Sequence, residues 1–255
     1  MQTKFERLTD NQWETIKYFV NWKRKRKICL RNVLDCIFYI TRTGIQWRNL
    51  EEVKGAPHWS AVYYYFDKWS EDGTVERMNI CLNLLERLSK GRRPFPSLGL
   101  VDSQSVKLAP MIFEDRGKDA FKKVNGRKRH ILTDVLGRIW RCVVGPANGH
   151  DGTEGKMLLK DIRGLMPWLK RILGDNAYRG GFAEEVEKLD MAFEVPQREE
   201  GQKGFVVEAK RWVVERTFAW LNLYRRLVID YEHTTRSAQS FLMLANISMV
   251  VSKIK

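Results

Sequence analysis

Two aspartates and one glutamate stand where an acidic site on an α/β sheet is expected. Asp102 directly follows the apolar run Leu98–Val101, and Asp175 follows a second apolar run. Glu215 lies later, in a stretch whose apolar residues have helical spacing. Because sites in α/β sheets are usually built at strand ends, the two aspartates are candidates for one site. Carboxylate oxygens are the ligands that Mg²⁺ prefers, so the chemistry indicated is that of hard cations.

Each of these carboxylates also has an ordinary structural interpretation. Asp102 fits a turn or cap after a strand, and Asp175 followed by Asn176 is good turn chemistry. Glu215 stands beside Arg216 and could form a surface ion pair worth well under ~1 kcal/mol. The joint arrangement is more informative, since all three occur in a chain of net charge +14. That combination favours metal-assisted chemistry on a polyanion.

The composition describes a globular protein with a strong excess of cations. The 255 residues include 45 Lys and Arg against 31 Asp and Glu, and 44% are hydrophobic. Such an excess favours nucleic acid as the partner. No apolar run approaches the ~20 residues that span a membrane, so no membrane partner is expected. The first residues lack the apolar core of a secretion signal, and the scattered cysteines and histidines indicate neither disulfides nor zinc. A cytoplasmic protein is therefore expected.

The chain is predicted to divide into a helical domain, residues 1–93, and a second domain, residues 94–255. The segment 91–97 has the glycine and proline punctuation of a linker. Before it, a capping box of Thr9 and Gln12 predicts a first helix. Further helices are predicted at residues 30–43, from Pro57 to about 72, and at 75–88. Short helices joined by tight turns indicate a helix-turn-helix module, with an outward face formed by Tyr63, Tyr64 and Lys68.

After the linker the pattern alternates between strands and helices. Strands are predicted at residues 97–106, 130–135, 139–144, 171–175 and 191–195. Helices are predicted at residues 153–162, 182–189, 206–227 and 237–252. This order predicts a mixed α/β sheet.

Two clusters of cations are candidates for contact with DNA, although both also fit ordinary solvated loops. In the first, adjacent cations repel one another unless a polyanion binds; its members are Lys23, Arg24, Lys25, Arg26 and Lys27. The second leads into a predicted strand and comprises Lys122, Lys123, Arg127, Lys128, Arg129 and His130. Tyr178, three residues after Asp175, fits either stacking on a base or packing in the core.

An ordered set of motifs extends along nearly the whole chain, from about residue 8 to 250. The first domain contains Leu8-Thr-Asp-Asn-Gln-Trp13, Arg42-Thr-Gly-Ile-Gln-Trp-Arg-Asn-Leu50 and Trp59-Ser-Ala-Val-Tyr63. The second contains Gly99-Leu-Val-Asp-Ser-Gln-Ser105, Gly126-Arg-Lys-Arg-His130, Asn148-Gly-His-Asp151, Gly174-Asp-Asn-Ala-Tyr178, Val214-Glu-Arg-Thr-Phe-Ala-Trp-Leu221 and Arg225-Arg-Leu227. Together these motifs resemble the bacterial insertion sequence five family of DDE transposases.

The resemblance implies a fold and a set of site residues. The fold would be α/β, with a ribonuclease-H-like mixed-sheet catalytic domain preceded by a small all-α helix-turn-helix domain. Asp102, Asp175 and Glu215 match the DDE triad, which would hold two Mg²⁺ ions, with Mn²⁺ able to substitute. In this hypothesis Asp102 bridges both ions while Asp175 and Glu215 each hold one. Residues implied to contact DNA are Arg42 and Arg48 in the first domain, and Arg211, Arg225 and Arg226 in the second. The family has a basic residue downstream of the glutamate, and here either Arg225 or Arg226 takes its place.

The resemblance also implies partners and a reaction. The protein would bind the terminal inverted repeats of an insertion sequence, hydrolyse phosphodiester bonds and transfer the strand into target DNA. Its partners would be double-stranded DNA, as transposon ends and target, and further copies of itself as a homodimer or larger assembly on DNA. It would lie in the bacterial cytoplasm, at the nucleoid when bound to DNA. Two alternatives remain open, a ribonuclease-H-like nuclease or resolvase and a non-catalytic DNA-binding protein derived from a transposase.

Overall fold

A computed structural model describes residues 5–25, 27–196 and 212–254. The first helices of the chain are α1 (Asp10–Ile16), α2 (Leu30–Thr43), α3 (Trp59–Glu71) and α4 (Thr74–Ser89). The capping box predicted for α1 is present, with Thr9 accepting from the backbone of Gln12 and the Gln12 side chain accepting from the backbone of Thr9. Helix α2 ends at Gly44, whose φ of 73° is a left-handed conformation that glycine adopts without a steric penalty.

A six-stranded mixed sheet follows the helical region in the part of the chain that the structure describes. Its strands are β1 (Leu98–Lys107), β2 (Gly117–Asp119), β3 (Val124–Thr133), β4 (Ile139–Pro146), β5 (Arg171–Leu173) and β6 (Ala192–Glu194). Strand β1 pairs with β3 antiparallel and with β5 parallel, and β6 extends the sheet parallel to β5. β4 and β2 both pair with β3. The predicted α/β class is confirmed.

The two faces of the sheet belong to different cores. Side chains alternate between faces along a strand, so Leu98 and Leu100 lie on one face of β1 and Val101 on the other. Leu98 and Leu100 pack with the first four helices and with α8 (Trp212–Leu221) and α9 (Thr235–Val251). Val101 packs with short helices on the opposite face, which are a 3-10 helix (Gly155–Leu159) that follows α5 (Asp151–Glu154), then α6 (Ile162–Leu165) and α7 (Gly181–Lys188).

Three buried asparagines connect α4 and α9 to the sheet. Asn246 on α9 donates to the side-chain oxygens of Asn79 and Asn83 on α4, at 2.6 and 3.0 Å. Asn79 and Asn83 each donate to the carbonyl of Ile139 at 2.8 Å, and the Ile139 amide donates to Asn246 at 3.1 Å. The network fixes the position of the helical region against β4 without leaving these amides unpaired.

Several predicted boundaries were wrong. The single helix predicted at residues 153–162 is α5, a 3-10 helix (Gly155–Leu159) and α6, because Asp161 at the start of α6 has a φ of 52°. Strand β3 begins at Val124, whereas its start was predicted at His130. The prediction was too late because the cations in the first half of β3 are typical of a surface loop. Strand β2 was not predicted. Of the helix predicted at 206–227, residues 212–221 are helical and a separate 3-10 helix covers Arg225–Leu227; residues 206–211 lie outside the described part.

Candidate active site

The pairing of β1 with β5 brings the chain near Asp102 and Asp175 together. Leu100 of β1 pairs with Leu173, the last residue of β5, and each aspartate stands two residues further along the chain. Because the two strands are parallel, both aspartates lie near the carboxyl end of β5. β1 continues past this point, so Asp102 lies in the middle of β1 where its parallel partner ends.

Hydrogen bonds orient both carboxylates. The backbone amide of Ser103 donates to Asp102 Oδ1 at 2.7 Å. Asp175 caps the short 3-10 helix Asn176–Tyr178, accepting from the amide of Ala177 at 3.0 Å. Both aspartates are half-buried, so each keeps contact with solvent. The glycine before Asp175 is required by space, since a Cβ on Gly174 would lie 2.7 Å from Val101 Cγ1.

Glu215 lies on α8, which covers the same face of the sheet as Asp102. Val213, Val214 and Phe218 of this helix pack in one core with Leu100. Asp102 shares the face of Leu100 because the two are separated by two residues on one strand. Glu215 itself is exposed at the margin of this contact. Among residues 5–25, 27–196 and 212–254, no three His, Cys, Asp and Glu side chains are arranged to hold a metal ion, so the triad stays a prediction.

A buried polar network lies on the opposite face, directly behind the two aspartates. Tyr178, which is completely buried, makes a hydrogen bond of 2.8 Å through its hydroxyl with His130 Nδ1. Ser103 donates to Asp151 at 3.2 Å, and Lys128 donates to the same carboxylate at 2.8 Å. Tyr178 therefore packs in the core and does not stack on DNA, which decides between the two interpretations of its position.

Tyr178 lies within the electrostatic influence of three acidic residues. Burial raises the pKa of Tyr178 well above its ordinary value, and the charges of Asp151, Asp102 and Asp175 raise it further. Both candidate aspartates thus act on one hydroxyl. Burial also lowers the pKa of His130 to about 4, so this imidazole is neutral at pH 7. Sequence reasoning gave no role to Ser103 and Asp151, although both lie inside motifs on which the resemblance was based.

Five of the predicted DNA contacts are buried, and their assignment to DNA was wrong. Arg127 donates to the carbonyl groups of Glu232 and Glu114, at 2.8 Å each. Arg129 donates to the carbonyl of Leu227 at 2.7 Å. Buried guanidinium groups with such partners cannot reach a phosphate without breaking the core. The five buried residues are Arg127, Arg129, His130, Tyr178 and Arg226, the last of which pairs with Glu232.

The other predicted contacts lie at or near the surface. Arg42 and Lys128 are half-buried, with Arg42 donating to the carbonyl of Leu223 at 2.8 Å. The exposed ones are Lys23, Arg24, Lys25, Lys27, Arg48, Tyr63, Tyr64, Lys68, Lys122, Lys123 and Arg225. Arg26 and Arg211 lie outside the described residues. In the described ranges, no helix is long and apolar enough to cross a membrane.

Comparison with known families assigns this sheet and the helices before it to transposase families. A family model described as "Transposase DDE domain" matches residues 93–250, and one described as "Putative transposase of IS4/5 family" matches residues 8–79. The chain belongs to the family of insertion-sequence transposases with a DDE domain. The predicted family is confirmed, as is the predicted α/β class, a mixed sheet preceded by a helical region.

Individual relatives are similar over part of the chain. The "Putative transposase for insertion sequence element IS402" of Burkholderia cepacia is 35% identical over 47% of this chain and 60% of its own length. The "Uncharacterized protein y4sN" of Sinorhizobium fredii (strain NBRC 101917 / NGR234) is 35% identical over 28% of this chain and 58% of its own length. The matches thus span about three fifths of these relatives. The catalytic core domain of BIV integrase gives a TM-score of 0.37 at 13% identity, covering 60% of this chain and 82% of that one.

Proposed function

We propose that this protein is a DNA transposase that binds the terminal inverted repeats of an insertion sequence, hydrolyses a phosphodiester bond at each end and joins the freed end to target DNA. The observation that carries the proposal is that Asp102 and Asp175 each stand two residues beyond a paired position, Leu100 and Leu173, of two neighbouring parallel strands. Membership of the DDE transposase family supports it. The overall charge of +14 supports a polyanionic substrate.

The donor set fits Mg²⁺. Asp102 and Asp175 offer partly solvated carboxylate oxygens at one edge of the sheet, and Glu215 lies on the helix that covers their face. Hard oxygen ligands that leave room for water are what Mg²⁺ requires, and Mn²⁺ accepts them as well. Two bound ions would activate the attacking oxygen and stabilise the leaving one. In this proposal the amide of Ser103 holds Asp102 in orientation, and the turn Asn176–Tyr178 holds Asp175.

Exposed cations supply the remaining DNA contacts of the proposal. The run Lys23, Arg24, Lys25 and Lys27 lies between α1 and α2, where several positive charges meet solvent within one short segment. Binding there would release counterions from DNA and would weaken with salt. We assign end recognition to the helical region and the chemistry to the sheet edge.

The test compares Asp102→Asn and Asp175→Asn with the wild type on labelled duplexes that carry the element's ends. Cleavage, joining and DNA binding are measured separately in Mg²⁺. Both variants should lose cleavage and joining by more than about a hundredfold, beyond the range of residues that only support a ligand. Their affinity for the ends should stay within about threefold of wild type, because neither side chain is part of the basic surface.

A matched control is Asp161→Asn. Asp161 is exposed and has a left-handed backbone conformation, which asparagine also adopts. This variant should cut and join normally. Full cleavage by Asp102→Asn would contradict the assignment. Cleavage by the wild type without any joining would instead indicate a nuclease, and binding of ends without cleavage would indicate a non-catalytic DNA-binding protein.

A further inference from the structure

The hairpin between β2 and β3 presents an aromatic side chain to solvent. Phe121 at its tip is 99% exposed, the largest exposure among the large hydrophobic residues described. The next two in that order, Phe113 at 77% and Met111 at 75%, lie in the connection leading to the same hairpin. A single exposed apolar residue is common on protein surfaces, but three of them within the segment from β1 to β3 indicate an interaction surface.

The tip of this hairpin is held rigid by a buried carboxylate. Asp119 accepts hydrogen bonds from the amides of Phe121 and Lys122, both at 3.0 Å. Its other oxygen accepts from the hydroxyl of Ser105 on β1 at 2.6 Å. The hydrogen bonds from Lys122 and Ser105 lower the pKa of Asp119, which keeps it charged. A fixed turn presents Phe121 with little conformational entropy left to lose on binding.

Cations flank the exposed ring. Lys118, Lys122 and Lys123 are all exposed, and Lys123 has a left-handed φ of 54° that closes the turn. A protein interface would cover these ammonium groups at a desolvation cost, whereas phosphates on either side of a base step would pair with them. The charge around Phe121 therefore favours DNA over a second copy of this chain.

The hairpin is attached close to the candidate active site. Ser105, which fastens Asp119, lies three residues beyond Asp102 on β1, or roughly 10 Å at the rise of a strand. Ser105 faces the side of the sheet opposite Asp102, but a duplex is wider than this separation, so DNA bound at Asp102 has the base of the hairpin within its reach.

We propose that Phe121 is a wedge that inserts between stacked bases beside the cleavage site, with Lys118, Lys122 and Lys123 holding the flanking phosphates. Apolar wedges of this kind unstack a base step and bend the duplex, which gives the protein access to the backbone. This inference rests on the proposed function, because it places the wedge next to the bond that is cut.

The test uses duplexes in which 2-aminopurine replaces one base at successive positions near the cleavage site. In the wild type, and equally in Asp102→Asn, its fluorescence should rise at one step, because unstacking does not require cleavage. Phe121→Ala should lose this rise and cut fully paired DNA about tenfold more slowly or worse. Phe121→Trp should retain both properties. A mismatch at that step should restore cutting by Phe121→Ala, since the bases there are already unstacked.

The control Leu85→Ala truncates an exposed apolar side chain on α4 and should behave as wild type. Equal fluorescence and equal cutting by Phe121→Ala and an active wild type would overturn the wedge. A fall in oligomer size in Phe121→Ala, with fluorescence unchanged, would also overturn it and assign the surface to a second copy. If the wild type cuts no substrate while unstacking still depends on Phe121, the proposed function fails and the wedge stands.

Discussion

At the scale of single residues, the neutral pair of His130 and Tyr178 separates the candidate aspartates from the core behind them. The two side chains are fully buried and share one hydrogen bond of 2.8 Å. A charged imidazole there would lose its hydration with no carboxylate in contact, which is why burial dominates its pKa. The pair therefore gives the sheet behind Asp102 a fixed, uncharged support at neutral pH.

This support should weaken in acid. The pKa of His130 is about 4 in the folded protein against about 6.5 for an unperturbed histidine. The unfolded chain therefore takes up a proton first, and the stabilisation is complete above pH ~6.5 and lost progressively as the pH falls toward 4. The free energy of unfolding should drop by about 2 kcal/mol from this residue between pH 7 and 5.

The measurement is urea unfolding of wild type and His130→Gln at both pH values, with His58→Gln as the control because His58 is exposed. The drop should be smaller by about 2 kcal/mol in His130→Gln and unchanged in His58→Gln. An NMR titration of the His130 ring in the wild type gives the same information without a variant. A midpoint near 6.5 would refute the prediction.

At the scale of elements, α9 is held by buried hydrogen bonds in addition to its apolar packing. Asn246 is completely buried in the middle of this helix and serves both asparagines of α4 as well as the amide of Ile139. An isolated asparagine in a buried helix face is unfavourable, so the network is stable only when all its members are present. The contact between α4, α9 and β4 is thus specific in register.

Replacing Asn246 by leucine should be strongly destabilising although the volume is similar. Two side-chain oxygens and one backbone amide would lose their partner, at about 1–3 kcal/mol for each buried group. The expected loss is at least about 3 kcal/mol in the free energy of unfolding, measured by urea denaturation. Ser252→Ala, near the exposed end of the same helix, should change it by less than about 0.5 kcal/mol. An unchanged free energy of unfolding in Asn246→Leu would show that the network positions α9 without stabilising the fold.

The elements that sequence predicted well are those with local signals. The capping box of Thr9 and Gln12 and the helix at residues 30–43 each follow from neighbouring residues. The positions of Asp102 and Asp175 followed from short apolar runs. The burial of Arg127 could not be predicted, because its partner carbonyl on Glu232 is 105 residues away and alternating cations otherwise indicate a surface strand.

At the scale of the whole molecule, the helical region and the sheet share one hydrophobic core. Residues of α2, α3 and α4 pack in the same cluster as Leu100, Phe218 and Phe241. A buried ion pair of 2.6 Å joins Arg87 on α4 to Asp134 next to the sheet. The division into two domains near residue 93 therefore stays a prediction. We expect residues 1–93 and 94–255 to need each other for folding.

The fragment 94–255 should not fold cooperatively by itself. Removal of the first 93 residues would expose the apolar face that α9 and the sheet present to them, which favours aggregation. Thermal unfolding followed by circular dichroism should show no sharp transition for this fragment, and co-expression of residues 1–93 should restore one. As a control, intact protein cut after folding at a protease site placed at Gly91, in an exposed turn, should stay associated. A transition of fragment 94–255 near the intact melting temperature would contradict the shared core.

The pairing of β1 with β5 also has a consequence for synthesis on the ribosome. Strand β3 emerges soon after β1 and can pair with it at once, and β4 can then pair with β3, whereas β5 is made only after the intervening helices. Asp102 is therefore translated well before the strand that brings Asp175 beside it. A nascent chain stalled before residue 171 carries the basic N-terminal helices but only one of the two aspartates. In the proposed function, such a product would be unable to cut DNA.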